Sequence, residues 1–511
     1  MAKKNKVFLV GAGPGDPGLI TVRAIECLRQ AEVVIYDYLA NEAFLKYVPP
    51  DAEIIYVGKK GGSHTKTQDE INELLVKKAK EKVVVRLKGG DPFIFGRGGE
   101  EAEVLEEAGI QFEIVPGVTS AIAVPAYAGI PLTHRDFASS VAFITGHERA
   151  DRSGSRIAWE KLSSAVDTLV FLMGMKNLSG IVGNLLKHGR SENTPVAVIQ
   201  WGTTKSQRTA IGTLATITEE VEKQGITAPA IIVVGDVVKL RKKLNWFERK
   251  PLFGRTILVT RAREQASEFV QMLEEHGARC LVFPTIKVIP PSSWKELDTA
   301  IRNLDTYQWL IFTSVNGVRF FFNRLFELGR DVRDLKGIKL CAIGPKTAEK
   351  ISNYGLALDF VPPEYRAEAI VEGLGKENIS GKRILLPRAA VAREILPQKL
   401  KELGAIIDVV EAYRTVLPEE IDKDVKEAVN AGSVDCITFT SSSTVRNFAK
   451  FFSSDDLRKS GSDIFIACIG PITADTAREL GFNVNIIPQE YTLDALTESI
   501  VKYFSRKAGD E

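Results

Sequence analysis

Two glycine-rich segments contain the residues whose types and spacing are best suited to hold a reactive ligand. The first is Gly11–Asp16, which follows the apolar run Val7–Val10, and the second is Arg86–Glu101, which includes the end of an apolar run that begins at Val83. Glycine lets a backbone adopt left-handed conformations and approach a ligand closely. Either segment alone is typical of a tight turn, but two such loops at strand ends predict a crevice for a nucleoside-like cofactor.

Neither of the two commonest phosphate-binding patterns fits these loops. A dinucleotide fingerprint needs a third glycine where Asp16 stands, and no phosphate loop ending in lysine and serine or threonine accompanies the glycines. Asp91 precedes Pro92, whose ring favours an extended backbone at Asp91. A carboxylate suits a cationic or hydroxyl-bearing ligand better than a phosphate, so the second loop favours such a ligand.

A sheet must position these loops, and the chain contains suitable strands. Apolar runs rich in β-branched residues alternate with amphipathic segments, which predicts an α/β fold with largely parallel strand pairing. The basic segment Lys239–Phe253 interrupts this alternation and is interpreted as a linker or its flank. The predicted strands before it are Val7–Val10, Val33–Tyr36, Val83–Leu87, Ser140–Thr145, Leu169–Met173, Val196–Gln200 and Ile231–Val234.

The chain beyond this linker contains an internal repeat whose copies lie about 127 positions apart. A period this long indicates duplication of an α/β unit and not a solenoid array, most simply as two lobes with a cleft between them. The matching pairs are Gly254–Ala262 with Gly381–Ala389, Gly277–Ala278 with Gly404–Ala405, Phe312–Ser314 with Phe439–Ser441, and Ala342–Ala348 with Cys468–Ala474.

Composition limits the remaining possibilities. The 511 residues are 44% hydrophobic and 26% charged, and the net charge of +2 gives no general electrostatic case for binding nucleic acid or a membrane surface. No apolar run approaches the roughly 20 residues that span a bilayer, so a cytoplasmic location is the default expectation. The 5 cysteines and 5 histidines are dispersed, which predicts reduced packing cysteines and no metal site.

Over residues 4–245 the motifs and their order resemble uroporphyrinogen-III C-methyltransferases of the tetrapyrrole methylase family. The matching motifs are VGAGPGDPGLIT, VIYDYL, VGKK, RLKGGDPFIFGRGGEE, VPGVTSA and GIPLTHRD. The resemblance implies two α/β subdomains and a cleft between them for S-adenosylmethionine, with S-adenosylhomocysteine as the product and no metal. The implied cofactor-binding residues are Pro14, Gly89, Gly90, Asp91, Ile94, Thr119, Ser120, Met173 and Gly202.

The same resemblance implies an acid/base pair formed by Asp37 and Lys59. An electron-rich pyrrole carbon attacks a methyl group that the sulfonium already activates, so a nearby group must handle the pyrrole proton. Taken singly, Asp37 is also typical of a helix cap and Lys59 of a solvated surface lysine. Arg97 and Arg135 are predicted partners for substrate carboxylates, because arginine binds carboxylates through two hydrogen bonds.

Strand-end hydroxyls and Gly-Pro-x-Thr turns recur in the second half of the chain. They are typical of helix N-termini, which favour anions, although ordinary capping is the alternative. With ILVTRA, FTSVNGV, AIGPKTA, LPRA, AYRT, TFTSSSTV and CIGPITA, residues 251–511 resemble uroporphyrinogen-III synthase. This resemblance implies lobe one near 251–285 plus 414–511, lobe two near 290–410, a short strand ladder between them, and a catalytic role for Tyr413. The predicted substrate-binding residues are Thr313, Ser314, Thr347, Ser441 and Thr473.

Together the two resemblances predict a bifunctional enzyme with domains 1–245 and 246–511. The synthase half would close hydroxymethylbilane with loss of water and inversion of ring D. The methyltransferase half would then methylate uroporphyrinogen III at C2 and C7 to give precorrin-2, for sirohaem or cobalamin synthesis. Tetrapyrroles are the expected partners, and the family suggests a homodimer formed through the methyltransferase half.

Two alternatives stay open at this point. The methyltransferase half could act on a later precorrin, because such enzymes share the GAGPGD start. The second half could bind a ligand without catalysis, because no decisive catalytic residue stands out there. Neither NAD-dependent oxidation nor iron insertion is expected, since no dinucleotide fingerprint accompanies the two halves.

Overall fold

A computed structural model describes residues 6–58, 66–147, 156–261, 263–364, 367–375, 377–392, 394–418, 421–459 and 463–507. The chain divides into two compact units. The first unit comprises residues up to Arg255 together with Leu273–Arg279 and the chain from Phe504 onward, and the second comprises Thr256–Met272 and Cys280–Tyr503. The first unit contains both glycine loops, and the second contains most of the sequence repeat.

The first sheet of the first unit has the strand order β3-β2-β4-β1-β5, and its pairings are parallel. Both faces of this sheet are covered, so every residue of β2 and β4 is buried, as is usual in parallel sheets. Its strands are β1 Lys6–Gly11, β2 Val33–Tyr36, β3 Glu53–Tyr56, β4 Val84–Lys88 and β5 Gln111–Val115, and the accompanying helices are α1 Val22–Arg29, α2 Gln68–Ala79, α3 Gly98–Glu107 and α4 Ser120–Tyr127.

The second sheet of the first unit has the order β6-β7-β10-β8-β9 and is mostly antiparallel, so the prediction of largely parallel pairing is wrong here. Only β6 and β7 pair in parallel. The short loop 201–207 accounts for the antiparallel pairing of β8 with β9, because a parallel crossover needs a dozen or more residues. The elements are β6 Val141–Thr145, α5 Trp159–Ala165, β7 Thr168–Leu172, α6 Leu178–Lys187, β8 Pro195–Gln200, β9 Arg208–Thr213, α7 Ile217–Lys223, β10 Ala230–Val234 and α8 Arg241–Leu244.

The predicted linker is not a free connection, because it packs against the C-terminal end of α4. The Trp246 indole N–H donates to the Ala126 carbonyl at 3.0 Å, and the Trp246 ring lies 5.1 Å from the ring of Tyr127. Phe247 is buried and also contacts Tyr127, at 4.8 Å between ring centroids. The segment is therefore packed within the first unit. Its basic composition suggested a linker, but Trp246 and Phe247 hold it in place.

The second half of the chain continues the alternation of strands and helices. Its elements are β11 Thr256–Val259, α9 Arg263–Glu275, β12 Arg279–Val282, β13 Lys287–Ile289, α10 Lys295–Arg302, β14 Trp309–Phe312, α11 Val315–Glu327, β15 Lys339–Ala342, α12 Pro345–Ser352, α13 Ala367–Gly375, β16 Arg383–Ala389, α14 Ile395–Glu402, β17 Ile406–Val416, α15 Lys423–Asn430, β18 Cys436–Phe439, α16 Ser442–Phe448, α17 Ser454–Lys459, β19 Phe465–Cys468, α18 Pro471–Glu479, β20 Val484–Ile486 and α19 Leu493–Lys507.

Two sheets define two lobes in this half. Lobe one has the order β12-β11-β18-β19-β20, and lobe two has the order β13-β17-β16-β14-β15. The two copies of the sequence repeat do not form one lobe each. In lobe one, β11 of the first copy pairs with β18 of the second, and in lobe two, β14 of the first copy pairs with β16 of the second. Each lobe therefore takes one part of its sheet from each copy.

The strand β13 pairs antiparallel with β17, through Lys287–Ile289 and Arg414–Val416, whereas the other strand pairs described in lobe two are parallel. Because β17 extends to Val416, Tyr413 belongs to the sheet of lobe two. This ladder lies where the chain leaves lobe one and later returns to it.

No disulfide joins any of the five cysteines, all of which lie in the described residues. Burial raises the pKa of the Cys341 and Cys468 thiols to about 12, which keeps both sulfurs protonated and unreactive near neutral pH. In the described part of the chain, no helix is long and apolar enough to cross a membrane.

Candidate active sites

The two glycine loops lie side by side at the carboxyl ends of β1 and β4. Gly13 and Gly90 exchange both backbone hydrogen bonds, with N···O distances of 3.1 and 2.7 Å, and the Ala12 N–H donates to the Lys88 carbonyl at 2.7 Å. Since β1 and β4 are adjacent parallel strands, their carboxyl ends meet at one edge of the sheet, where ligands of open α/β sheets bind. The structure thus brings Gly89–Asp91 against the loop that contains Pro14.

Three glycines allow this close approach. A Cβ on Gly11 would lie 2.5 Å from the Gly117 nitrogen, and a Cβ on Gly117 would lie 2.3 Å from the Gly90 carbonyl oxygen. Gly90 itself has a φ of +67°, and a Cβ there would meet nothing nearer than the Ser120 nitrogen at 3.8 Å. The Gly90 backbone therefore lies beside the first turn of α4, where a Cβ would make only ordinary van der Waals contacts. We call Gly11, Gly90, Gly117 and this first turn the glycine cradle.

The Asp91 carboxylate stabilises the glycine cradle through backbone hydrogen bonds. Its Oδ1 accepts from the Phe93 and Ile94 N–H groups at 2.8 and 3.1 Å, and its Oδ2 accepts from the Gly117 N–H at 3.0 Å. Asp91 thus closes its own loop and fixes that loop to the segment before α4. The sequence predicts this carboxylate as a partner for a cationic or hydroxyl-bearing ligand, and its three backbone partners are visible only in the fold.

The loop after β8 contacts both the first glycine loop and α4. The Asp16 N–H donates to the Thr203 hydroxyl at 3.2 Å, and a Cβ on Gly202 would lie 2.3 Å from the Val124 side chain. Thr119 caps the N-terminus of α4. The predicted cofactor-binding residues Thr119 and Gly202 therefore lie on elements that touch the glycine cradle, although they come from different parts of the chain.

Non-glycine residues with left-handed backbone follow several strands of the first unit. Met173, after β7, has a φ of +57°, and Trp201, after β8, has a φ of +48°. Each such residue costs about 1–3 kcal/mol, and such strain is concentrated at functional sites. Because β7 and β8 both pair antiparallel with β10, Met173 and Gly202 share one edge of the second sheet. Met173 and Ile94 are both exposed.

Asp37 follows β2, the strand next to β4, and its carboxylate is fixed by two partners. Its Oδ2 accepts from the Arg86 guanidinium at 3.0 Å, and its Oδ1 accepts from the Leu39 N–H at 3.3 Å. The bond to Leu39 closes a turn after β2 and caps no helix, because Asn41 caps the next helical turn, Glu42–Tyr47. The ion pair with Arg86 is additional. The side chain keeps 28% of its surface exposed, so it can also reach a ligand. Its predicted partner Lys59 lies outside the described residues.

Three buried charged residues that were not predicted from the sequence, Arg86, Lys88 and Glu101, lie beside Asp37. Glu101 is fully buried, and its Oε1 accepts from Arg86 Nε at 3.2 Å and from Lys88 Nζ at 2.8 Å. The available signal was that Arg86 and Lys88 interrupt an apolar strand, where buried cations require anionic partners. This buried group links β4, the central strand of the first sheet, to α3.

The two arginines predicted to bind substrate carboxylates differ in their surroundings. Arg97 makes paired hydrogen bonds to Glu100, with distances of 2.9 and 2.6 Å. Arg135 is exposed and has no hydrogen bond or ion pair with a described residue. Arg135 is therefore available for a carboxylate, whereas Arg97 would have to exchange Glu100 for one.

In lobe two, the structure brings together Tyr413 and Ser314. Their hydroxyl oxygens are 3.0 Å apart, and Ser314 also accepts from the Gly317 N–H at 3.0 Å as the N-terminal cap of α11. The Phe320 ring stacks on Tyr413 at 5.8 Å with an angle of 18° between the planes. The phenol is buried except for 8% of its surface, so its hydroxyl is held in one position at the start of a helix.

The other predicted synthase residues lie at helix starts within their own lobes. Ser441 caps α16, and the Ser442 hydroxyl donates to the Ile472 carbonyl at 3.3 Å, which joins the start of α16 to the start of α18. Thr473, in the first turn of α18, is buried except for 6% of its surface. Residues Thr313 and Thr347 occupy the corresponding strand end and helix start of lobe two. Ser441 and Thr473 thus lie within lobe one, and Thr313 and Thr347 lie within lobe two.

Comparison with known proteins places each half in a family. The family described as Tetrapyrrole (Corrin/Porphyrin) Methylases matches residues 6–218, and the family described as Uroporphyrinogen-III synthase HemD matches residues 267–498. The Porphyrin biosynthesis protein HemD of Ruminiclostridium josui is 39% identical over 497 residues, which cover 97% of each protein. The chain belongs to the family of this HemD protein. It is a bifunctional tetrapyrrole biosynthesis enzyme with a methyltransferase half and a synthase half.

The methyltransferase half of the chain has further relatives. It is 58% identical over 242 residues to the S-adenosyl-L-methionine-dependent uroporphyrinogen III methyltransferase of Methanosarcina barkeri, covering 47% of this chain and 95% of that one. It is also similar to the crystal structure of uroporphyrin-III C-methyltransferase from Thermus thermophilus complexed with S-adenyl homocysteine, with 39% identity, coverage of 46% and 99%, and a TM-score of 0.40.

Proposed function

We propose that the C-terminal half cyclises hydroxymethylbilane to uroporphyrinogen III and that the N-terminal half methylates this product at C2 and C7 to give precorrin-2. The observation that carries the proposal is the match of one relative across 97% of both proteins, which joins the two families in a single chain. The first product is then the second substrate. We further propose domains 1–245 and 246–511, and a homodimer formed through the methyltransferase half.

S-adenosylmethionine fits the glycine cradle and would supply the activated methyl group. The fit rests on Gly90, which has no side chain and a left-handed backbone beside the N-terminus of α4, so a ligand can approach main-chain groups there. The proposal includes no metal. The residues proposed to line the site are Pro14, Gly89, Gly90, Asp91, Ile94, Thr119, Ser120, Met173 and Gly202.

Asp37 is proposed to accept the proton that the pyrrole loses when its carbon forms the new carbon–carbon bond. Arg86 orients this carboxylate from the buried side, and the partial exposure of Asp37 lets its other face meet the substrate. Lys59 is its proposed acid/base partner. Arg135, with Arg97 as a second candidate, is proposed to bind the carboxylates of the tetrapyrrole.

The synthase half must chiefly hold the two ends of a linear tetrapyrrole together, because ionisation of the hydroxymethyl group is intrinsically easy. Closure through a spiro intermediate then depends on orientation. Tyr413 is proposed to donate a hydrogen bond to the departing water, and Ser314 fixes the direction of its hydroxyl. The substrate carboxylates are proposed to meet Thr313, Ser314, Thr347, Ser441 and Thr473.

Tyr413→Phe should lower the rate of uroporphyrinogen III formation by about tenfold, which corresponds to the loss of one hydrogen bond. The ring and its stack on Phe320 are kept, so the fold of lobe two should be retained. The measurement is the initial rate of isomer III formation by chromatography, with Ser314→Ala as the variant expected to lose less. A Tyr413→Phe enzyme with the parental rate would remove Tyr413 from the reaction.

The complete proposal is tested by supplying the full chain with hydroxymethylbilane and methyl-labelled S-adenosylmethionine. We expect a tetrapyrrole that carries two labelled methyl groups. Absence of a dimethylated product contradicts the central proposal. A product no richer in isomer III than the uncatalysed mixture would instead assign the second half a binding role without catalysis.

A further inference from the structure

Four charged side chains form one network behind the proposed proton acceptor. Arg86 donates from Nη2 to Asp37 at 3.0 Å and from Nε to Glu101 at 3.2 Å, so one guanidinium bridges two carboxylates. Lys88, two residues along β4, donates to the same Glu101 oxygen at 2.8 Å. Arg86, Lys88 and Glu101 are 3%, 4% and 0% exposed, whereas Asp37 reaches the sheet edge. We call these four side chains the Asp37 network.

Glu101 is the centre of the Asp37 network. Its Oε1 also accepts from Gln68 Nε2 at 3.2 Å, so three donors converge on one oxygen. Its buried Oε2 has no hydrogen-bond partner among the described residues. Burial and the repulsion of Arg86 lower the pKa of Lys88, and Glu101 opposes both effects. Glu101 is therefore the group that keeps two neighbouring cations in the interior.

The charges of the Asp37 network balance only when both carboxylates are ionised. Two cations then face two anions, and neutralising Asp37 would leave one positive charge uncompensated in a buried site. A buried ion pair contributes little to stability compared with apolar packing. The Asp37 network ends on a partly exposed carboxylate at the carboxyl edge of the sheet, so a functional role explains it better than a contribution to stability.

We infer that Glu101 and Lys88 are positioning residues of methyl transfer: they fix the Arg86 guanidinium, which orients the Asp37 carboxylate toward the substrate, and they set the net charge beside that carboxylate. This inference rests on the proposed role of Asp37. Neither residue touches the reacting atoms, because both lie behind Arg86. Their effect passes to Asp37 through the guanidinium and through the charge of the network.

Two other titratable groups face the Asp37 network among the described residues. Tyr56, on β3, faces Asp37, and burial is the main cause that raises the pKa of its phenol. Arg97 faces Glu101, and its pair with Glu100 raises the pKa of the guanidinium. Both groups therefore keep one charge state throughout the acid range. A change in the acid limb of the pH–rate profile then reports the carboxylates.

The test uses full-length Glu101→Gln, Lys88→Met and the double variant. In Glu101→Gln the amide nitrogen can take the place of the unpartnered Oε2, so the contacts to Oε1 can persist while one negative charge is lost. The acid limb of kcat for methyl transfer should then move to lower pH. Lys88→Met removes a positive charge and should move this limb to higher pH. Each shift should be on the order of one pH unit, and the double variant should return close to the parental profile.

If Glu101 and Lys88 only stabilise the fold, the two single variants should not shift the acid limb of kcat in opposite directions, and the double variant should not restore it. S-adenosylhomocysteine affinity, measured by calorimetry, should stay within about twofold of the parental value in all three variants. Coincident pH profiles in Lys88→Met and the parent overturn the inference, and this single variant decides the matter if Glu101→Gln does not fold. Asp37→Asn is measured beside them. If it keeps the parental rate, the proposed role of Asp37 fails; if it is inactive while the profiles coincide, only the inference fails.

Discussion

Asp37→Asn should lower the rate of methyl transfer by about 10²–10⁴-fold, the usual contribution of a positioned acid or base. An asparagine oxygen can still accept from the Leu39 N–H, but the side chain loses the charge that pairs with Arg86 and cannot accept a proton. The measurement is single-turnover transfer of a labelled methyl group to uroporphyrinogen III at saturating cofactor.

Three controls make this result specific to proton transfer. Asp51→Asn changes an exposed carboxylate in the turn before β3 and should keep the parental rate. Uroporphyrinogen III formation by the other half should be unchanged in Asp37→Asn. Affinity for S-adenosylhomocysteine should also be close to the parental value, because Asp37 is not among the residues of the glycine cradle. A parental transfer rate in Asp37→Asn would place the proton acceptor elsewhere.

The local features of the site could be predicted from the sequence because their causes are local. A left-handed φ requires glycine at Gly90, and the apolar runs before Gly11 and Gly89 identify the strands whose ends hold the loops. The same reasoning found the helix-capping role of Ser314 and Ser441, since a hydroxyl after a buried strand is a common cap.

The contacts between distant segments could not be predicted in this way. Asp91 was recognised as important, but its bond to the Gly117 N–H depends on the packing of two loops. Glu101 appeared as one of several acidic residues in a helix, and only the tertiary fold shows that it is fully buried against Arg86 and Lys88. A sequence pattern shows which residues alternate along an element, but it does not show which side chain of another element they meet.

For the same reason, neither the direction of the strands nor the geometry of the repeat could be predicted from the sequence. The apolar runs of β8 and β10 were found as strands, yet their antiparallel pairing depends on the partner across the sheet. The repeat in the second half showed a duplication. It did not show by itself that each lobe combines strands from both copies, because the exchange arises from pairings such as that of β11 with β18.

Gly117→Ala should disrupt the glycine cradle and reduce affinity for S-adenosylhomocysteine by at least tenfold, with a loss of about 10²-fold in methyl transfer. The new Cβ would lie 2.3 Å from the Gly90 carbonyl oxygen and 2.7 Å from the Gly11 Cα. Both neighbours are backbone atoms, so no side-chain rotation relieves the contact and the loops must separate. Such a movement also weakens the hydrogen bond from the Gly117 N–H to Asp91.

The matched control for this prediction is Gly99→Ala. Gly99 lies in α3, and a Cβ there would meet no atom within 4 Å, so alanine should be neutral or stabilise the helix slightly. Calorimetry with S-adenosylhomocysteine on both full-length variants compares the cradle directly, and retained uroporphyrinogen III formation shows that the synthase half is intact. Equal affinity in the two variants would mean that the cofactor does not depend on contact between the two glycine loops. Weak binding in Gly117→Ala alone would instead tie cofactor recognition to the backbone approach that these glycines permit.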